Sequence, residues 1–326
     1  MAEWLYEAGI GENRAIRVEN GRIVEAAIEL PDEARVGSVI EGRLADILAS
    51  GRRGMVRAGE EWIAVDPLPA GLTKGQAVRV ELVRAPIAEP GRGKFAKGRI
   101  TDAPEREGPT LAERIGPHRT VTPAGPDPFE EAGWSELLDE AVSGDIAFPG
   151  GALRMSLTPA MTLFDVDGAL PPPELALRGA EAAARTIRRM GIGGSIGIDL
   201  PTIPARAERQ RAAAAVDALL PQPFERTGVN GFGFLQIVRR RERESLPELL
   251  QHRLVAGAAR ALLRRAERCT GVGARLLVAH PQVIALLERN RGWIAELERR
   301  TGAPAELREN PSATTWAFDV HASPPA

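Results

Sequence analysis

Cysteine is all but missing. Cys269 stands alone, so no disulfide forms within the chain and no cysteine-based zinc site can be assembled. A lone thiol suits a reducing compartment, and a cytoplasmic location is the expectation. Aromatic residues make up only 4%, so the 44% of hydrophobic residues must build a core mainly from Ala, Leu, Val and Ile. No run approaches the roughly 20 uninterrupted apolar residues of a membrane helix. The N-terminus carries Glu3 and Glu7 where a signal peptide needs an apolar centre. Neither a membrane span nor a leader is expected. An excess of one charge sign is also lacking: the net charge is −2, so any nucleic-acid contact has to come from local patches. His118, His252, His280 and His321 are scattered, without helical or loop pairing, and supply no ligand set.

What is present is a chain of 326 residues, long enough for two or three structural units. Residues 14–19 and 22–29 alternate polar and apolar around Asn20-Gly21, the strongest short hairpin signal, because both turn residues tolerate positive φ. Between about 37 and 100, β-prone runs (38–40, 54–56, 62–65, 77–83) are separated by Gly and Pro, which predicts a small barrel; residues 86–98 read as a basic loop. Residues 101–128 are polar and Pro-rich and read as a linker. A helix over 130–143 follows. Strands at 153–156, 161–164, 195–198 and 233–238 then alternate with helices over 174–190 and 205–220, the pattern of an α/β layer. A long helix over 246–268, a strand at 275–279, a helix over 281–289 and a strand at 314–320 predict a small terminal α/β unit. The chain therefore divides into 1–36, 37–102, 103–245 and 246–326.

Two strands of this layer end alike. Thr162-Leu163-Phe164-Asp165-Val166-Asp167-Gly168 and Ser195-Ile196-Gly197-Ile198-Asp199-Leu200 each run apolar into a carboxylate. Ligand sites of open α/β sheets lie at the carboxyl ends of strands. The helix between them is the kind of crossover that makes parallel neighbours. Two carboxylates brought together need a cation or a shared proton. Mg²⁺, or Mn²⁺, suits them, because it takes oxygen ligands and bridges to phosphate. The competing reading of each strand-end Asp is a helix cap or an Asx-turn. Two basic runs stand out as candidates to track an RNA backbone: residues 91–99, with Lys94, Lys97 and Arg99, and Arg239-Arg240-Arg241. Solvated, salt-bridged surface is the alternative for both.

Taken in order, the run Pro149–Ala169, the run Met190–Leu200 and the run Gly231–Arg241 resemble the catalytic segments of the ribonuclease E/G family, and the Asn20-Gly21 hairpin is similar to that family's opening strands. The resemblance spans most of the chain. It implies a mixed α/β (α+β) protein with a ribonuclease H-like part, a small S1-type OB-fold barrel inserted at 37–102, a deoxyribonuclease I-like catalytic part and a C-terminal α/β unit. It implies a Mg²⁺-dependent endoribonuclease acting on single-stranded RNA. The family's two metal-binding aspartates fall on Asp165 and Asp199, and its asparagine two positions after the first falls on Asp167. An ionised Asp accepts hydrogen bonds but donates none, so Asp167 makes the site more negative. The zinc-link cysteines are absent after Arg241, so no zinc is expected, and a monomer or a dimer built without zinc is. The segment 103–148 is too short for the family's sensor of 5′-monophosphate ends, and Gly231 replaces the family's Arg. The other readings are a non-catalytic RNA-binding relative and a metal-binding α/β protein acting on a small phosphorylated ligand.

Overall fold

Asn20 and Gly21 take φ of 52° and 74°, so the alternating runs on either side close into a hairpin whose turn matches the right-handed twist of its strands. The computed structural model describes residues 2–48, 52–89 and 93–322. Its elements begin with β1 (Glu3–Ala8), β2 (Asn13–Glu19), β3 (Arg22–Glu29), β4 (Val39–Ile47), β5 (Gly54–Ala58), β6 (Glu61–Val65), β7 (Ala77–Arg84) and β8 (Ala96–Ile100). Next come α1 (Leu111–Ile115), β9 (Arg119–Thr120), α2 (Pro128–Glu131), α3 (Trp134–Ser143), β10 (Asp145–Phe148), β11 (Gly151–Leu157), β12 (Thr162–Gly168), α4 (Pro172–Arg189), β13 (Gly194–Asp199) and α5 (Arg206–Leu219). The remainder are β14 (Phe224–Arg226), β15 (Phe234–Arg239), α6 (Leu246–His252), α7 (Leu254–Glu267), β16 (Arg275–Ala279), α8 (Pro281–Arg289), α9 (Arg291–Thr301), β17 (Ala305–Glu309) and β18 (Phe318–Ala322).

These elements form two units. The first combines Met1–Pro31, Pro117–Val142 and Leu249–Ala326; the second combines Asp32–Gly116 and Ser143–Glu248. The four segments read along the sequence are thus regrouped, with both ends of the chain in one unit. No helix among the described residues is long and apolar enough to cross a membrane.

In the first unit a sheet runs β3-β2-β1-β9, antiparallel except for the parallel β1–β9 pair, and a second runs β17-β16-β18. Its core joins Ile10 to Leu262, Leu263, Leu277, Val283 and Leu287 from the far end of the sequence. Beside it lies a buried ion network. Glu7 meets Arg14 and Arg268, each at 2.5 Å; Arg268 also reaches Asp127 at 2.9 Å, and Arg264 pairs with Glu12. The Arg14 guanidinium lies 4.1 Å from the Phe129 ring centroid. Burial, with Arg264 close by, pushes it down to about 10, and it stays charged at neutral pH.

In the second unit a closed barrel runs β4-β5-β6-β8-β7, antiparallel except for the β6–β8 pair. Leu44, Val56, Ile63, Val80 and Leu82 fill it. The six-stranded sheet that follows runs β10-β11-β12-β13-β15-β14, with β12 and β13 its parallel pair. Helix α4 packs along β10, β11 and β12. Strand alternation sends Phe164, Val166, Ile196, Ile198, Leu235 and Ile237 into the core and leaves Asp165, Asp167, Asp199, Gln236 and Val238 on the other face.

Several expectations need correction. Residues 86–98 are not all loop: β8 begins at Ala96 and closes the barrel, and Ile87 bridges to Lys94. The linker 101–128 holds α1 and β9, with α1 started by a capping box in which Thr110 and Glu113 satisfy each other's backbone N–H. The helix over 130–143 is two pieces parted at Gly133, which takes φ 92°. The long helix over 246–268 breaks at Arg253, whose φ of −130° is not helical. Strand 314–320 is shifted to Phe318–Ala322.

Candidate functional site

Asp165 and Asp199 are register partners on the parallel strands β12 and β13. Their Cα atoms are therefore about one strand spacing apart, roughly 4.8 Å, with both side chains on the same sheet face. Both are exposed. The pairing arises because α4 is the crossover between the strands: Pro172 and Pro173 start it and Gly191 (φ 66°) ends the turn after it. Strand β13 ends at Asp199, whereas β12 continues beyond Asp165 to Gly168, still paired with β11. Asp167 lies two residues further along the same face, opposite Ala152 of β11 and past the parallel pairing.

Among the described residues, none of these three carboxylates takes a hydrogen bond or an ion pair. The cap reading of Asp199 is not realised: α5 begins after Ala205 with no side-chain cap, and the Leu200 N–H is taken by the Gly233 carbonyl at 3.2 Å. The register continues outward on both sides. Arg154 of β11 stands opposite Asp165, and Phe234 of β15 stands opposite Asp199. One row of the sheet thus reads Arg154, Asp165, Asp199, Phe234. The Arg154 guanidinium also lies 3.7 Å from Asp145. Gly197 lets the row pack closely, since a Cβ there would sit 2.6 Å from the Phe234 ring and 2.7 Å from Leu163. Two free carboxylates side by side form an oxygen-only donor pair that suits a hard divalent cation. No group of three or more His, Cys, Asp or Glu is placed to hold a metal among the described residues.

The six basic residues read as RNA contacts are mostly engaged within the protein. Lys94 pairs with Glu89 at 2.6 Å, and Arg99 pairs with Glu81 at 2.7 Å. Arg239 donates to the Ile192 carbonyl at 3.0 Å. Arg240 lies 3.1 Å from Glu242, and Arg241 is held between Glu248 and, at 3.5 Å, Glu89. Lys97 is half-buried on β8, with no hydrogen bond or ion pair among the described residues. Gly91 and Arg92 of the same run lie outside the described residues. On the barrel, Arg57 stacks 5.8 Å from the Trp62 ring centroid, Arg43 is its register partner on β4, and Phe95 is 45% exposed.

Arg154, Phe232 and Phe234 escaped the sequence reading. Counting back through the 151–168 hairpin from Asp165 would have found Arg154. Nothing in the sequence marks Phe232, which is 84% exposed. No protein-family model matches this chain, and no curated protein does.

Proposed function

We propose that the second unit is a divalent-metal-dependent endoribonuclease of the ribonuclease E/G type, cutting single-stranded RNA to leave 5′-phosphate and 3′-hydroxyl ends. The observation that carries this reading is the register pairing of Asp165 with Asp199, both exposed and without partners among the described residues. Asp165 and Asp199 would hold Mg²⁺ or Mn²⁺, which supplies polarisation of a phosphoryl oxygen and an acidified water. The chain's own residues prepare the rest. The paired carboxylates repel a phosphate until a cation offsets them, so substrate affinity is tied to the metal. Arg154, in register with Asp165, offers a cation on the same face for a phosphate oxygen. Asp167 adds negative charge further along that face.

The barrel supports an RNA substrate. Its strand order, with the third and fifth barrel strands parallel, is that of an OB-fold, which binds oligonucleotides on the face of its second and third strands. Here those strands carry Arg57 and Trp62. Lys97, Arg240 and the exposed sides of Lys94, Arg99 and Arg239 would follow the backbone, whereas Arg241 serves the fold. A second reading, an RNA-binding relative without turnover, draws on the lack of a third ligand among the described residues and on Gly231 and Asp167.

The test is cleavage of labelled single-stranded RNA in Mg²⁺ by the chain and by Asp199→Asn. Cleavage should vanish in the variant, while its RNA affinity without metal should rise, because one repelling charge is gone. Binding by both proteins without cleavage by either would select the second reading. Equal cleavage by both would sink the metal-site proposal.

A further inference from the structure

Phe232 is the most exposed of the large hydrophobic side chains described, at 84%. Exposed apolar residues scattered singly are ordinary; what sets this one apart is the hydrogen-bonded turn that carries it. The Asn230 side-chain oxygen accepts from the Phe232 N–H at 2.9 Å and from the Phe234 N–H at 3.0 Å, and the Gly233 N–H donates to the Asn230 carbonyl at 3.2 Å. Gly233, at φ 94°, presses so closely on β13's end that a Cβ there would lie 2.1 Å from the Leu200 carbonyl oxygen. The Thr202 hydroxyl donates to the Phe232 carbonyl at 3.4 Å, and the Leu200 N–H to the Gly233 carbonyl. The turn is thereby tied to the residues that directly follow Asp199. At 84% exposure most of the ring's surface is open, and the neighbouring Gly231 adds no bulk beside it.

A solvent-facing aromatic ring on a hydrogen-bonded turn tied to the residues after Asp199 fits one kind of partner at an RNA-cutting site, the face of an unpaired base. Stacking needs a planar ring and open space, and a turn already in place spares the entropy of ordering the backbone on binding. We infer that Phe232 is a base-stacking residue that holds a nucleotide flanking the phosphate at Asp165 and Asp199. This inference rests on the reading of that aspartate pair as the RNA-cutting site. It makes Phe232 a determinant of single-strand specificity, because a base within a duplex has no free face to offer.

The test is the affinity of a fluorescein-labelled single-stranded RNA decamer, read by anisotropy in the Asp199→Asn background so that the RNA stays intact. Adding Phe232→Ala should weaken binding about ten-fold, and adding Phe232→Trp should not weaken it. Phe232→Leu keeps apolar bulk without a planar face and should behave like the Ala variant. Thermal midpoints should be unmoved, as the ring is outside the core. Scanning the decamer with abasic sites should reveal one position whose loss weakens binding as much as Phe232→Ala and adds nothing in that variant. Binding by the Ala variant within about two-fold of its parent, where the weakest stacking contact already predicts more, would overturn the inference. In that event a loss of cleavage in Asp199→Asn would leave the metal reading standing; persisting cleavage in Asp199→Asn would remove the metal reading itself.

Discussion

Replacing Gly179 with Ala sets two effects of known size against each other. In an ordinary helix the change is favourable by about 1 kcal/mol, since Ala loses less backbone freedom. Here α4 lies so close to β12 that the new Cβ would sit 2.4 Å and 3.0 Å from the two γ-carbons of Val166, against a comfortable carbon contact of roughly 3.5–4.0 Å. Val166 is 6% exposed and β-branched, and its own Cβ would be 3.3 Å away, so rotation about χ1 does not clear the clash. Overpacking of this kind costs about 1–3 kcal/mol. The net expectation is a loss of about 1 kcal/mol. Val166→Ala alone removes two buried carbons and leaves a void, costing about 2 kcal/mol. In that background the clash is gone, so Gly179→Ala should become stabilising by up to about 1 kcal/mol, a reversal of sign. Urea unfolding of the four proteins in the cycle, followed by circular dichroism, measures it. A Gly179→Ala protein more stable than its parent, with no coupling to Val166, would refute the tight seating of α4 on the strand that carries Asp165.

Two further outcomes follow from the ion pairs. The Arg241 side chain is 17% exposed and pairs with that of Glu248, 8% exposed, so Arg241→Met should cost about 3 kcal/mol by leaving a buried carboxylate without its cation and with Ser245 holding only one of its oxygens. Arg240→Ala, at a site 68% exposed, should leave stability alone and lower the salt slope of RNA binding by about one; the reverse assignment of effects would show that Arg241 is the RNA contact. The Glu267 side chain is 3% exposed, and burial pushes its carboxyl above the ordinary range although Arg300 at 2.8 Å pulls the other way. An acid raised in the folded state costs stability once pH passes above its folded value, and costs nothing well below its unfolded value. Glu267→Gln should therefore raise the urea midpoint at pH 7, with the gain shrinking as pH falls through the carboxylate range; a lower midpoint at pH 7 would contradict this.

The readable parts of the fold were those set by local chemistry. Asn20-Gly21 announces its hairpin because few other pairs accept two positive φ values. Four barrel strands show as β-prone runs between Gly and Pro. The fifth, β8, reads as loop because its inward positions are Ala96 and Gly98, and Gly98 is required by crowding: a Cβ there would lie 2.2 Å from Val80. The break at Arg253 carries no Gly or Pro, so nothing in the local sequence signals it. At the candidate site, Asp199 is legible as a strand end, whereas β12 runs on past Asp165 to Gly168, and the neighbours of both depend on register across four strands. The partners of the basic residues were hidden for a related reason. Glu81 stands 18 positions from Arg99, and Glu89 is as far from Arg241 as the fold brings it near, so charges that looked free along the chain are neutralised in space.

That both ends of the sequence belong to one unit bears on how the protein is made. Residues 32–116 and 143–248 supply every segment of the second unit before the helices that follow are made. Ile10 must wait: the side chains that shelter it, from Leu262 to Leu287, are made long after it. Until then the opening hairpin has an apolar residue and the charges of Glu7 and Arg14 without their final company, and Arg268 must arrive before that network is complete. β1 is thus locked in place by residues made long after it.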